Sequence, residues 1–226
     1  MSFQDKLLDS FIAFEQVIDL DNPIHTFRKN ALNRFESEGF PTKKDELWKY
    51  TSLKSIIQKD YSLSVKSNPN VGLKDIKKYS INDIDSFKIV FVDGVFNPFL
   101  SNTTHDGMDI CVLSAAISKN KYKKTINKYF NKIVPDDQSL ASLNTSYTQE
   151  GAYIHIPKSV LPEDPIQILH FSSGKNKPLW LQPRNIIIVE ENARVEIIER
   201  HQSLRTHHGV TNSLTEIYAE KNSFID

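Results

Sequence analysis

The sequence predicts an α+β chain, helical at its start, mixed in its middle and β-rich towards its end, where short strands stack as a solenoid. Three observations carry that expectation. In the first part the apolar positions Phe3, Leu7, Phe11, Phe14 and Ile18 recur every three or four residues, the spacing that lines one helical face. From Gly151 onward the period falls to two, and strand follows strand with no helical pattern between them. Within that β-rich part, Val189-Glu190-Glu191-Asn192-Ala193-Arg194-Val195-Glu196 is echoed by Ala219-Glu220-Lys221-Asn222-Ser223-Phe224-Ile225-Asp226, 30 residues on. A stacked coil needs the same Asn-containing corner and the same inward positions as its neighbour; two unrelated hairpin turns would explain the likeness less economically. The expected organisation is a helical region over 1–60, a mixed α/β segment over 61–135 and the first coils of an incomplete β core over 136–226.

The elements follow in order. Helix one spans about Ser2 to Ile18. Asp21 or Asn22 caps a second helix, Pro23 suits its first turn, and Ile24, Phe27, Ala31, Leu32 and Phe35 form its apolar stripe. Gly39 ends it in the left-handed conformation. Thr42 and Asp45 have capping-box spacing, which predicts a third short helix carrying Glu46, Leu47, Trp48 and Tyr50. Lys88 to Asp93 reads as a strand, with Asp93-Gly94 turning it into Val95 to Leu100. Met108 to Leu113 is a further strand, Ser114 caps a lysine-rich helical stretch, and Asp136 to Thr148 is a helix with Leu140, Ala141 and Leu143 inward. Strands are then expected at 152–156, 165–171, 184–189 and 193–199. The final residues begin a strand with no polar cap, which predicts a fragment of a longer protein or a second subunit over the open end.

Charge and composition exclude several classes of function. The chain has 28 basic and 28 acidic residues, so it offers a polyanion no net attraction, and nucleic acid is excluded as a partner. No apolar run exceeds four residues, as in Ile186–Val189, against the ~20 of a membrane-spanning helix. Asp5, Lys6, Asp9, Glu15 and Asp19 interrupt the start, leaving no export signal, and the lone Cys111 forms no internal disulfide; both point to the cytoplasm. The stretch from Ser114 to Val134 holds six lysines and no acid, either a solvated helix face or a docking patch for an acidic partner.

The residues capable of chemistry form no familiar motif. His201, His207 and His208 cluster in sequence, but His207 and His208 would point to opposite faces of a regular strand; a surface loop and a metal site both remain open. His155 and His170 sit in alternating strands and read as structural. Cys111, flanked by Ile110 and Val112, reads as a buried, inert thiol, and Glu190 with Glu191 as a solvated corner rather than an acid/base pair. Phosphate loops, dinucleotide fingerprints, nucleophile elbows and zincin motifs are absent from the sequence.

The string Gly39-Phe40-Pro41-Thr42-Lys43-Lys44-Asp45-Glu46-Leu47-Trp48-Lys49-Tyr50-Thr51-Ser52-Leu53 resembles the signature near the start of the SufD branch of the SufB/SufD family, which acts in SUF iron–sulfur cluster assembly. Agreement continues, in the family's order, through Val90–Gly94, Leu140–Tyr147, Gly151–Pro157, Asn185–Glu199 and Thr211–Glu216. We read Gly39, Phe40, Pro41, Asp45, Glu46, Trp48, Lys49 and Tyr50 as a structural motif, with Trp48 and Tyr50 pinning the helical region to its neighbour.

The resemblance implies N-terminal helices followed by a right-handed parallel β-helix, truncated here, and a non-catalytic scaffold that pairs with SufB and with the ATPase SufC and supports iron entry. Iron–sulfur cluster and reduced flavin are then expected at the level of the complex, and no catalytic, cofactor or metal residue is carried over onto this segment. Two competing readings are a small metal-dependent β-fold enzyme using His201, His207 and His208, and an interaction module built on the lysine-rich stretch.

Overall fold

Ser2 and Asp5 cap each other. The Ser2 hydroxyl accepts from the Asp5 amide at 3.1 Å, and the Asp5 carboxylate accepts from the Ser2 amide at 2.7 Å. From this box α1 runs over Phe3–Glu15 in the computed structural model, which describes residues 2–63, 71–79, 81, 85–105, 107–174 and 178–226. Its stripe buries Phe3, Leu7 and Phe11. Asn22 accepts from the Ile24 amide at 3.1 Å and opens α2, Ile24–Glu38, which stops at Gly39 with φ +69°. Two short helices follow, α3 (Lys54–Ile57) and α4 (Leu73–Ile76).

The hairpin of β1 (Phe87–Val92) and β2 (Val95–Phe96) turns through Asp93 and Gly94, both at positive φ, as a two-residue turn matching strand twist requires. Then come β3 (Asp109–Val112), α5 (Leu113–Ser118), α6 (Lys123–Tyr129) and α7 (Ser139–Ser146). Beyond Gly151 lie β4 (Ala152–Ile156), β5 (Ile166–Ser172), β6 (Trp180–Leu181), β7 (Arg184–Val189), β8 (Arg194–Val195), β9 (Ile197–Ser203), β10 (Val210–Thr211), β11 (Leu214–Ala219) and β12 (Phe224–Ile225).

These strands form mixed sheets that do not close, ordered β2-β1-β5-β9 and β11-β7-β4-β3, with two smaller pairs, β10-β6 and β12-β8. Apart from the β1–β2 and β3–β4 pairs, the pairing is parallel. The 30-residue echo is a physical register: Val210 pairs with Trp180, Leu214 with Arg184 and Phe224 with Arg194. Its Asn corners coincide too. Asn192 and Asn222 both adopt positive φ, and the Asn222 amide donates to the Asn192 carbonyl oxygen at 3.2 Å.

Apolar clusters join the layers, and a further one packs Val71 and Ile76 of the α4 region onto Val90, Val92, Leu169 and Phe171. Between the two large sheets lie Ile89, Phe91, Ile166 and Ile168 from one and Ile154, Ile156, Ile187 and Val189 from the other. Against the other face of the second sheet, α5 and α6 bring Leu113, Ala116 and Ile126 onto Tyr153, Ile186 and Ile188. The N-terminal helices attach through aromatics, with Phe3, Phe40 and Tyr61 at 5.0, 5.7 and 5.5 Å from the Trp180 ring.

Several expectations are corrected. The expected helix after Thr42 is a single 3-10 turn, Glu46–Trp48, in which the Asp45 carboxylate accepts from the Thr42 amide at 2.7 Å. Trp48 is only half-buried, while Leu47 and Tyr50 are 79% and 89% exposed, so Tyr50 does not pin the region. Phe40, buried against Trp180, fills that place. Ser114 is no cap: Val112 precedes the first turn of α5, and the Ser114 hydroxyl engages Glu150 instead. The strand expected at 193–199 is two strands, Arg194–Val195 and Ile197–Ser203, interrupted at Glu196, with Val195 and Ile197 both packed on the core between the large sheets. The lysine-rich stretch is broken by a 3-10 turn at Asn120–Tyr122, and two of its lysines meet acids, Lys121 with Asp109 at 2.6 Å and Lys128 with Glu220 at 3.3 Å.

A buried ion pair ties helix layer to sheet. Arg184 on β7 is fully buried and donates to Glu216 on β11 at 2.5 Å, to Thr145 at 3.0 Å and to Asn131 at 3.2 Å, with its guanidinium over the Phe130 ring. Glu216 in turn accepts from the Asn131 and Lys132 amides at 3.0 and 3.1 Å. Removing one partner strands the other charge. Glu216→Ala is expected to cost about 3–5 kcal/mol in urea unfolding, whereas Arg184→Met combined with Glu216→Leu costs less than that single change. Tyr50→Ala, by contrast, is expected to stay within about 0.5 kcal/mol of the parent in the same measurement.

Candidate functional site

Along a parallel ladder each side chain stands beside its register partner, and alternate residues share a face. On the first sheet, Phe91, His170 and His201 are aligned across β1, β5 and β9, and the next row inward is Ile89, Ile168 and Glu199. Ile89 and Ile168 are core residues. On β9 the same inward row therefore carries a carboxylate, and the row beside it a second imidazole.

The three side chains converge. The His170 and His201 rings stack 4.5 Å apart with nearly parallel planes, and Phe91 stacks on the other side of His170 at 4.8 Å. His201 Nε2 lies 2.8 Å from a Glu199 oxygen, and His170 Nε2 lies 3.9 Å from the same oxygen. One nitrogen from each ring and a carboxylate oxygen all fall within 4.8 Å of one another. Glu199 is also held from the opposite sheet: Asn185 on β7 donates to it at 3.2 Å, and Ser213 at 3.4 Å.

Burial sets the electrostatics. His170 is 8% exposed, and its Nε2 has no hydrogen-bond partner. Desolvation, with the charge of His201 second, pushes its pKa down to about 3, so the ring is neutral at physiological pH. Burial alone would raise the Glu199 carboxyl. The His201 hydrogen bond first, and then the attraction of the neighbouring imidazoles in their charged form, outweigh it and hold the group below its ordinary range.

His170 also lines a groove of about 510 Å³ together with Phe14, Tyr147, Glu150 and Trp180, and a smaller recess of about 110 Å³ with His201, Gln202 and Thr211. Glu150 Oε2 and Trp180 Nε1 in the larger groove are buried and unpartnered, as His170 Nε2 is.

The expected histidine cluster is not assembled. His201 joins His170 and Glu199, His208 lies 3.4 Å from Lys59 Nζ, and His207 packs against Gly174 and Gly209. His155 pairs with Glu190 at 2.9 Å, while Glu191 turns to Lys158 at 2.7 Å, so the two neighbouring acids do part company. Cys111 is half-buried, and burial chiefly raises its thiol pKa. The sequence reading missed Glu199 and took His170 as structural. The usable signal was Glu199-x-His201 on one strand face, with His170 one coil earlier. Among the described residues, no helix is long and apolar enough to cross a membrane.

Two family models match the chain in succession: the SufBD protein N-terminal region over residues 1–168, and the SUF system FeS cluster assembly SufBD core domain over residues 170–226. Among curated proteins the chain is similar to an iron–sulfur cluster assembly SufBD family protein of Synechocystis, 26% identical over 80% of this chain and 39% of the relative. It is also similar to the iron–sulfur cluster assembly protein SufD of Escherichia coli, 26% identical over 74% of this chain and 36% of that protein. The SufB protein of Bacillus subtilis is 29% identical over 41% of this chain and 20% of its own length. The chain thus spans well under half the length of these relatives.

Glu150 supplies a test of the groove. Burial is the main cause that raises its carboxyl above the ordinary 4.5, opposed by the Ser114 hydrogen bond. The folded state therefore binds the proton better than the unfolded one. Its contribution is fully present below pH 4.5 and is lost as pH rises through the raised folded value. Urea unfolding of Glu150→Gln at pH 4 and pH 7, compared with the parent, is expected to show the variant gaining relative stability at the higher pH.

Proposed function

The chain belongs to the SufB/SufD family, and from that membership we propose that it serves as a non-catalytic scaffold subunit of iron–sulfur cluster assembly, of the SufD kind. The observation that carries this reading is the succession of the two family regions over residues 1–168 and 170–226. The names of its relatives, iron–sulfur cluster assembly proteins, support it.

The parallel stacking at 30 residues supports reading the β-rich part as the first coils of a right-handed parallel β-helix. Such a core suits a scaffold. Each coil is fixed by its neighbours, so whatever the coils display is held at constant spacing. In this reading the subunit works in the cytoplasm, pairs with a SufB-like protein and with a SufC-like ATPase, and supports iron entry. Cluster and reduced flavin belong to the assembled complex, and the motif from Gly39 to Tyr50 is architectural.

The test is assembly. The tagged gene product, expressed with the SufB-like and SufC-like proteins of its own organism, is expected to co-purify with both in fixed stoichiometry. Recovery of the folded product free of both partners would overturn the reading.

A further inference from the structure

We propose that His170, Glu199 and His201 form a binding site for a single first-row divalent transition cation, held by two imidazoles and one carboxylate at the edge of the first sheet. The inference deepens the assembly reading by naming the chemical class of the cargo this segment touches, but its geometry stands apart from that reading.

The donor set comes first. Two neutral nitrogen ligands and one carboxylate suit Fe²⁺, Co²⁺ and Zn²⁺, and leave positions open for water or for a ligand from elsewhere. Magnesium and calcium prefer all-oxygen sites.

Placement is the second argument. Ligand atoms around one such ion sit roughly 3–3.5 Å apart. The observed separations from the shared Glu199 oxygen, 2.8 and 3.9 Å, bracket that range, and the exposed His201 ring turns out of the stack to bring its in-plane lone pair onto an ion in the plane of His170. The stacked rings present both Nε2 atoms towards one carboxylate, and the buried His170 Nε2 has no hydrogen-bond partner of its own.

Support around the ligands is the third. Metal-binding side chains need outer partners to hold their orientation. Asn185 and Ser213 orient Glu199, and Phe91 fixes the His170 ring from the far side. Glu199 sets a carboxylate in a row otherwise filled by Ile89 and Ile168, at the exposed end where an ion can reach it.

Co²⁺ is the probe, followed by visible absorption and by equilibrium dialysis of the full chain. One Co²⁺ per chain is expected, displaced by Zn²⁺. His201→Asn and Glu199→Gln, both on the exposed edge strand, are expected to lower the affinity about 100-fold or more, with far-UV circular dichroism unchanged. His208→Asn is expected to bind as the parent does. Absence of saturable Co²⁺ binding by the folded chain, or parental affinity in both His201→Asn and Glu199→Gln, would overturn the site. Partner co-purification is scored separately: cation binding without partners removes the assembly role and keeps the site, and partners without cation binding do the reverse.

Discussion

Parallel stacking of each strand on the one a coil earlier is the constraint from which most of this structure follows. The register of a parallel ladder sets each side chain beside its counterpart a coil earlier, so whatever is inward in one coil is inward in the next. Leu214 to Ala219 lie on Arg184 to Val189 pair by pair, and Phe224 and Ile225 on Arg194 and Val195. A corner repeated in this way must solve the same backbone problem twice. Asn192 and Asn222 both do so in the left-handed region, a conformation costing most residues about 1–2 kcal/mol, which asparagine tolerates through local side-chain hydrogen bonds. The bond between the two asparagines links the successive corners.

The same stacking explains how charged groups come to be buried. Arg184 and Glu216 occupy strands that are neighbours only because β11 lies on β7, and each fills the other's need in a place water does not reach. Neither would be tolerated alone. Gly151 belongs to the same arrangement: a side-chain carbon there would lie 1.8 Å from the Arg184 carbonyl oxygen, so the backbone approaches as closely as only glycine permits. The helix layer is thus fixed to the sheets through polar contacts, Asn131 and Thr145 among them, as well as through apolar area.

What the sequence made legible was local. The stripes of α1 and α2, the Gly39 stop and the Asp93-Gly94 turn each depend on residues within a few positions of one another and each forms, although α1 stops at Glu15, short of Ile18, and Pro23 rather than Asn22 stands at the cap position of α2. The repeated Asn corner was readable because two copies of one local solution lie in one chain. Two-residue strands such as β6 and β10 left no trace, since a pair of residues has no period. Tyr50 misled because a large aromatic suggests burial, yet whether it is buried depends on what folds over it, and Phe40 had already taken the contact with Trp180. The grouping of Glu199 and His201 with His170 needed the register between coils, which no local pattern contains.

That register has a final consequence. While β6, β7 and β8 meet their successors 30 residues on, β5 meets β9 at 31, with His170 beside His201 and Ile168 beside Glu199. A strand shifted by one residue exchanges its two faces. At an offset of 30, Ile198 would stand beside Ile168 and Arg200 beside His170, an apolar residue continuing the inward row. The extra residue instead turns Ile198 away and sets Glu199 towards Asn185 on the opposing sheet. Each face of β9 offers one isoleucine, so apolar burial alone does not choose between them: the observed register keeps Ile197 on the core beside Ile166, where the other would put Ile198. What the observed face adds is a carboxylate and an imidazole beside the buried His170, the juxtaposition on which the cation site rests.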